Sequence, residues 1–319
     1  MIDAHATARS THRTRARTTR MVGLALALTM SLAIVAQAQT TTVTDHVGRE
    51  VAVPDAPQRV LPLHRTFAED LAVLGVTGVG RVEEYQHREE ALAWPSIGRE
   101  RAPDLEAVYA AQPDLILANA RMHLDILDAL ELSGAAVYFI DPSETDDDPL
   151  RTRIALIANL VGRDAAFAAY DAELEATTER LRSQVEACGH ARVAIVQGGA
   201  ESVLAAQPTG MYHGLLSRLG LENVVPSGLP GAGRSTWVAF DIEAIVAADP
   251  DLVLVRAAGS GETPGALLEH YTTAPEWQAV PAIRAGRLAI LPGRVNPGMI
   301  SDLDALALTA DVVCAVPSE

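Results

Sequence analysis

Four arginines in this 319-residue chain share one kind of place. Arg65 follows the run RVLPL, Arg121 follows LILAN, Arg256 closes LVLV and Arg294 follows AILPG. Each run reads as a buried strand, so each guanidinium falls at or just past a strand's carboxyl end, where open α/β sheets hold their ligands. A guanidinium is a planar, permanently charged fork, suited to carboxylates, catecholates or propionates. The same strand ends bring further candidates. His64 precedes Arg65, and Tyr85, His87 and Trp94 come after the turn near Gly80. His123 lies beyond Arg121, Tyr212 and His213 lie in TGMYHG, Arg234 and Trp237 in a glycine-rich stretch, and Asn296 beyond Arg294. Aromatic faces can stack on a planar ligand or on an arginine. Imidazole or phenolate could ligate a metal centre. No two of these histidines are closely spaced, so no metal-ligand set is assigned. An exposed loop arginine is equally well a solvated one; placement singles these out.

The elements that must position them are visible in an internal repeat. Residues 104–120 read DLEAVYAAQPDLILANA and residues 241–257 read DIEAIVAADPDLVLVRA, with ten of 17 positions identical. In each copy an Asp, Asp104 or Asp241, caps a short helix that stops before a proline. An apolar run then reads as a buried parallel strand. Upstream, DLAVLGV and GLLSRLGL each read as a helix closed by glycine, and RVLPL and RVAIV each read as a strand. Each half therefore runs strand, helix, turn, strand, helix, strand, which predicts a parallel sheet with helices on both faces. Between the halves, Leu150, Ile154, Ile157 and Val161, then Phe167, Tyr170, Leu174, Leu181 and Val185, recur at helical spacing around Gly162. The expected fold is α/β: two similar lobes with mainly parallel sheets, a long helical connector and a crevice between the lobes. The expected boundaries are a signal peptide over 1–38, an N-terminal lobe over 39–148, a connector over 149–187 and a C-terminal lobe over 188–319. A single helical crossover limits hinge bending, so closure over a ligand proceeds by small shifts.

The N-terminus predicts the compartment. Five arginines among residues 1–20 precede the apolar run Met21–Val35 and the small-x-small pattern Ala36-Gln37-Ala38. This is the order of a secretory signal peptide, and the run is shorter than the roughly 20 residues of a membrane span. Removing residues 1–38 takes away five Arg and one Asp and moves the net charge from −16 to −20, which argues against nucleic acid. All 25 basic residues are arginine. An oxidising compartment permits a disulfide between the two cysteines, Cys188 and Cys314, with two separate buried thiols as the alternative. No G-x-S-x-G elbow occurs, and without lysine no P-loop can. The chain is read as a non-enzyme without a cofactor and as a monomer, the enzyme alternative being a metal chelatase on a two-lobed scaffold.

In the order of its segments the chain resembles the periplasmic iron-siderophore, haem and cobalamin binding proteins of ABC importers. The segments are TDHVGREVAVPDAPQRVL (44–61), LAVLGV, VGRVEEYQHREEALAWPSIGR (79–99), DLEAVYAAQPDLILA and APEWQAVPAIRAGRLAILPGRV (274–295). The resemblance implies capture of a metal chelate, a ferric siderophore type ahead of haem or cobalamin, for delivery to a membrane permease. Glu106 and Glu243 stand two residues after the paired helix caps. An acid there also suits the helix dipole, but the resemblance implies that they dock on permease arginines.

Overall fold

The computed structural model describes residues 39–141, 148–199, 202–231, 235–257 and 263–318; the segment 1–38, expected to be a signal peptide, and Arg234 lie outside them. The described chain opens on an antiparallel hairpin of β1 (Thr40–Thr44) and β2 (Glu50–Pro54). The first sheet is parallel, in the order β3 (Val60–Pro62), β6 (Leu115–Asn119), β7 (Ala136–Ile140). Between β3 and β6 come α1 (Arg65–Val73), α2 (Glu89–Leu92), the two-residue pair β4 (Gly98–Arg99) with β5 (Ala102–Pro103), and α3 (Leu105–Ala110). The helix α4 (Leu127–Glu131) precedes β7. Both β3 and β6 are buried at every residue, as continuous apolar runs covered on two faces must be.

The connector is two helices, α5 (Pro149–Leu160) and α6 (Asp164–Ala187), parted at Gly162, whose φ of 65° stops the first. α5 packs on α1 and on α7 (Gly210–Arg218), while α6 packs on α11 (Asp302–Cys314). Tyr170, Leu174, Thr178, Leu181 and Val185 form the buried stripe of α6. Cys188 and Cys314 are bonded to each other, with Cα atoms 5.3 Å apart, and tie the end of α6 to the end of α11.

The second sheet runs β11 (Trp237–Ala239), β9 (Ser202–Ala206), β8 (Arg192–Gly199), β12 (Leu252–Arg256), β13 (Leu288–Leu291), with β10 (Glu222–Asn223) also beside β8. α8 (Ile242–Ala248) precedes β12, and α9 (Pro264–Thr273) and α10 (Pro281–Arg284) precede β13. Strands β8, β10, β12 and β13 pair in parallel, as expected, but β9 and β11 are antiparallel additions. The second half therefore departs from the strand–helix order read in the sequence. β9 is short and rich in small residues, and β11 interrupts the glycine-rich stretch, so neither carries a strong strand signal.

The repeat folds alike in both copies. Asp104 Oδ1 accepts from the Glu106 and Ala107 N–H groups, and Asp241 Oδ1 accepts from Ala244 N–H. Each helix ends on a left-handed residue before proline, Gln112 at φ 44° and Asp249 at φ 45°, a conformation that costs a non-glycine residue about 1–2 kcal/mol. After the proline, Asp114 accepts from the Gln58 and Arg59 N–H groups, and Asp251 accepts from those of Ala191 and Arg192. Arg59 and Arg192 in turn donate to the carbonyls of the equivalent residues Ala111 and Ala248. Each central strand pair is thus pinned at its amino end by the same side chains.

The disulfide closes a loop with a sequence separation of 126. Replacing both cysteines by serine should lower unfolding free energy by up to about 4–5 kcal/mol in the chain-entropy picture. Urea unfolding of the oxidised protein and the double variant measures this, and coincident curves would show that the bond adds nothing.

Candidate functional site

At the carboxyl ends of both sheets lies a cavity of about 410 Å³. His64, Arg65 and Thr66 enter it from the start of α1, Asn119, Arg121 and Met122 from the end of β6, and Arg101 from the turn after β4. The second half supplies Gln197 of β8, Met211 and Tyr212 of α7, Trp237 of β11, Arg256 of β12, and Asn296 and Pro297 after β13. Arg153 reaches it from α5. Five arginines line this space, and no described Asp or Glu does.

The arginines differ in how far the protein occupies them. Arg65 Nε donates to Pro297 O at 2.8 Å, and Nη1 is 3.6 Å from Glu100 Oε2. Arg121 Nε donates to Asp141 at 3.1 Å. Arg101 and Arg256 have no carboxylate partner among the described residues, and they come from opposite halves. The Arg256 guanidinium lies 5.3 Å from the Trp237 ring centroid, and Tyr212 packs edge-on to the same ring at 5.1 Å. Among the described residues, three buried polar atoms on this wall have no hydrogen-bond partner: Thr66 Oγ1, Gln197 Oε1 and Arg256 Nε.

The two buried histidines near the cavity are structural. Thr66 N–H donates to His64 Nδ1 at 3.3 Å, so the imidazole is the N-cap of α1 and its proton sits on Nε2, 3.8 Å from Glu100 Oε1. Asn119 N–H donates to His123 Nδ1 at 3.0 Å, and His123 Nε2 donates to Glu100 O at 2.6 Å. Burial, then the Arg65 charge, holds His64 well below the usual histidine range; burial also lowers His123. Both rings are neutral with their lone pairs in use, and neither offers a nitrogen to a metal. The Tyr212 hydroxyl donates to Val295 O, and burial pushes its pKa up to about 12. Among the described residues no group of three or more His, Cys, Asp or Glu could hold a metal ion.

Of the residues singled out in the sequence, His64, Arg65, Arg121, Tyr212, Trp237, Arg256 and Asn296 meet at the cavity. Tyr85, His87 and Trp94 do not. The segment carrying them folds against α1, where the Tyr85 hydroxyl donates to Glu69 at 2.8 Å, His87 Nδ1 lies 2.8 Å from the same carboxylate, and Arg88 Nε donates to its other oxygen. Trp94 is buried over Gly78, where a Cβ would come within 2.7 Å of the ring. His213 is one residue past Tyr212 on α7, about 100° around the helix, and is off the cavity wall. Arg294 is exposed in the turn after β13, and the chain reaches the cavity two residues later. Sequence reasoning missed Arg101 and Arg153: one lies in a short turn, the other on the connector, away from any strand end.

A family profile for periplasmic binding proteins matches residues 63–295. The Fe(3+) dicitrate-binding periplasmic protein FecB of Escherichia coli (strain K12) is 25% identical over 280 residues, covering 85% of this chain and 89% of FecB. The Fe(3+)-citrate-binding protein YfmC of Bacillus subtilis (strain 168) is 21% identical over 253 residues, 77% of this chain and 76% of YfmC. Staphylococcus aureus SirA, solved with staphyloferrin B, superposes with a TM-score of 0.69 at 17% identity, covering 88% of this chain and 100% of SirA.

Gly298, at φ 69°, lets the Pro297 turn close onto α1: a Cβ there would fall 2.5 Å from Arg65 C and 2.6 Å from Thr66 N. Gly298→Ala should cost about 1–3 kcal/mol or more. Gly286→Ala, at φ 75° with nothing within 4 Å, should cost only the backbone part. Equal losses in urea unfolding would show that the close approach of the two halves here is without consequence. The profile match, most of the chain in length, and the two-sheet fold around a central cavity place this protein in the periplasmic binding protein family.

Proposed function

We propose that the protein captures an anionic ferric chelate and hands it to the permease of an ABC importer. The observation that carries this reading is the cavity wall: five guanidiniums, no described carboxylate, and unpaired arginines facing in from opposite halves. Guanidinium forks recognise carboxylate-bearing ligands through paired, charge-assisted hydrogen bonds. Two relatives are named for ferric citrate complexes, which supports a compact carboxylate chelate. A haem reading has less support, because His64, His123 and Tyr212 spend their donor atoms within the protein and Arg256 covers a face of Trp237. Residues 1–38 would direct export and be removed, leaving a periplasmic chain. No helix among the described residues is long and apolar enough to cross a membrane.

Quenching of Trp237 fluorescence, titrated with ferric citrate, ferric catecholates and hydroxamates, haem and cobalamin, tests the ligand. Ferric citrate should bind below about 10 µM, about −7 kcal/mol, and Arg101→Ala and Arg256→Ala should each weaken it roughly tenfold or more. A Soret shift with haem and no response to any ferric chelate would reverse the reading.

For the partner, we assign docking to Glu106 and Glu243. Both are exposed in the first turn of the paired helices α3 and α8, off the cavity wall. Charges at such a rim act mainly on association and orientation. The double variant Glu106→Ala/Glu243→Ala should keep ligand affinity and lose stimulated ATPase activity and uptake in the reconstituted transporter. Undiminished uptake would remove the docking assignment, and lost ligand binding would move both residues to the pocket or the fold.

A further inference from the structure

Arg153 stands on the second turn of α5 with its side chain 9% exposed. Its Nε donates to Asp70 Oδ2 at 2.8 Å, and Nη2 donates to Asp70 Oδ1 at 3.0 Å and to Asp302 Oδ2 at 2.8 Å. Asp70 belongs to α1 in the first half, and Asp302 is the first residue of α11 in the second. One guanidinium thus joins both halves through the connector. Its remaining nitrogen, Nη1, has no partner among the described residues and is not sealed from open space, and Arg153 is part of the cavity wall.

Two carboxylates on one guanidinium leave a surplus negative charge under a cavity that is otherwise cationic. Burial pushes the Asp70 carboxyl up to about 6 against the pull of Arg153, and pushes Asp302 up in the same way. The other charged or titratable groups facing the cluster are Glu69 of α1, His64 at its cap, Tyr170 of α6 and Arg218 of α7. His64 is held neutral and Tyr170 is held protonated by burial. Glu69 is matched by Arg88, and Arg218 by Asp148 and Glu175. Asp70, which shares Arg153 with Asp302, is therefore the group of the cluster that takes up a proton as pH falls toward about 6.

Building on the anionic-chelate reading of the cavity, we propose that Arg153 is both a ligand contact and a positioning residue: the bound chelate accepts a hydrogen bond from Nη1, and this contact aligns the two halves through Asp70 and Asp302. An anion brought to Nη1 adds negative charge beside a surplus already there. Proton uptake by Asp70 relieves it, so binding and protonation are linked and affinity rises as pH falls toward about 6.

Asp302→Asn removes the surplus charge and keeps a polar side chain on the helix start. Ferric citrate in excess citrate is titrated by Trp237 quenching against wild type and variant at about pH 6 and about pH 8. The chelate's own protonation is common to both proteins and cancels between them. Wild type should show a ratio of affinities between the two pH values about fivefold or more larger than the variant, and the variant should bind more tightly than wild type at the higher pH. Arg153→Lys, checked for folding by circular dichroism and thermal melting, keeps the charge but cannot serve two carboxylates and a ligand together; its affinity should fall roughly tenfold or more. If Arg153→Lys misfolds, the pH ratio of Asp302→Asn decides. Equal pH ratios in wild type and Asp302→Asn, or wild-type affinity in a folded Arg153→Lys, overturn the proposal while the chelate reading stands. Failure of wild type to bind the chelate at either pH defeats both.

Discussion

The guanidinium of Arg153 is chelated by one carboxylate from each half of the chain, and it sits where the connector meets both. Buried ion clusters add little net stability, because desolvation of the charges consumes most of the Coulombic gain. Removing one partner is costly, because it leaves a charge buried alone. Such a cluster therefore specifies an arrangement more than it strengthens one. Here it fixes α1, α5 and the start of α11 around the floor of the cavity. A second buried arginine, Arg218 of α7, does similar work one layer away, holding Asp148 before α5 and Glu175 and Thr178 of α6. With the disulfide at the far end of α6, the connector is fastened at both ends.

The cavity gains its character from what these restraints leave over. Arg65 and Arg121 are oriented by Glu100, Pro297 O and Asp141, which hold the forks in place but neutralise part of their charge. Arg101 and Arg256 keep theirs. The electrostatic field at the wall is the sum over both kinds, and low-dielectric walls make that sum felt at longer range than on an open surface. The neutral state of His64 and His123 fits this division of labour. Both rings act as backbone caps, and burial keeps them from adding charge that would vary with pH across the neutral range.

Much of this was legible in the sequence because the relevant signals are local. The Asp caps, the prolines that end the helices, the apolar strand runs and the helical stripe around Gly162 all depend on neighbours a few residues away. The seven candidate residues that the structure brings to the cavity follow from one rule about strand ends. The rule failed for Tyr85, His87 and Trp94 because spacing after a strand does not say which way the next segment turns. Here a buried carboxylate, Glu69, draws that segment onto α1 to satisfy its oxygens. Arg153 was invisible for a related reason. It lies between Leu150 and Ile154 in an amphipathic stripe, where an arginine reads as part of the solvated face. Only the arrival of Asp70 and Asp302, distant by 83 and 149 positions, turns it inward.

The repeat shows how the two halves came to share a frame and differ in chemistry. At the amino ends of the strands the copies use the same groups: Asp114 and Asp251 on backbone N–H pairs, Arg59 and Arg192 on helix carbonyls. Even the left-handed turn before proline is kept, at Gln112 and Asp249, although neither is glycine. At the carboxyl ends the copies diverge. The positions that correspond are Asn119 and Arg256, and both line the cavity. Asn119 spends its side-chain oxygen on the Arg121 N–H and so shapes a turn, whereas Arg256 retains an unpaired Nε and a full charge. At this one equivalent position the frame thus carries a turn-forming amide in the first copy and a cation in the second. The two copies can differ at the strand ends, because the frame makes no demand on the side chain there.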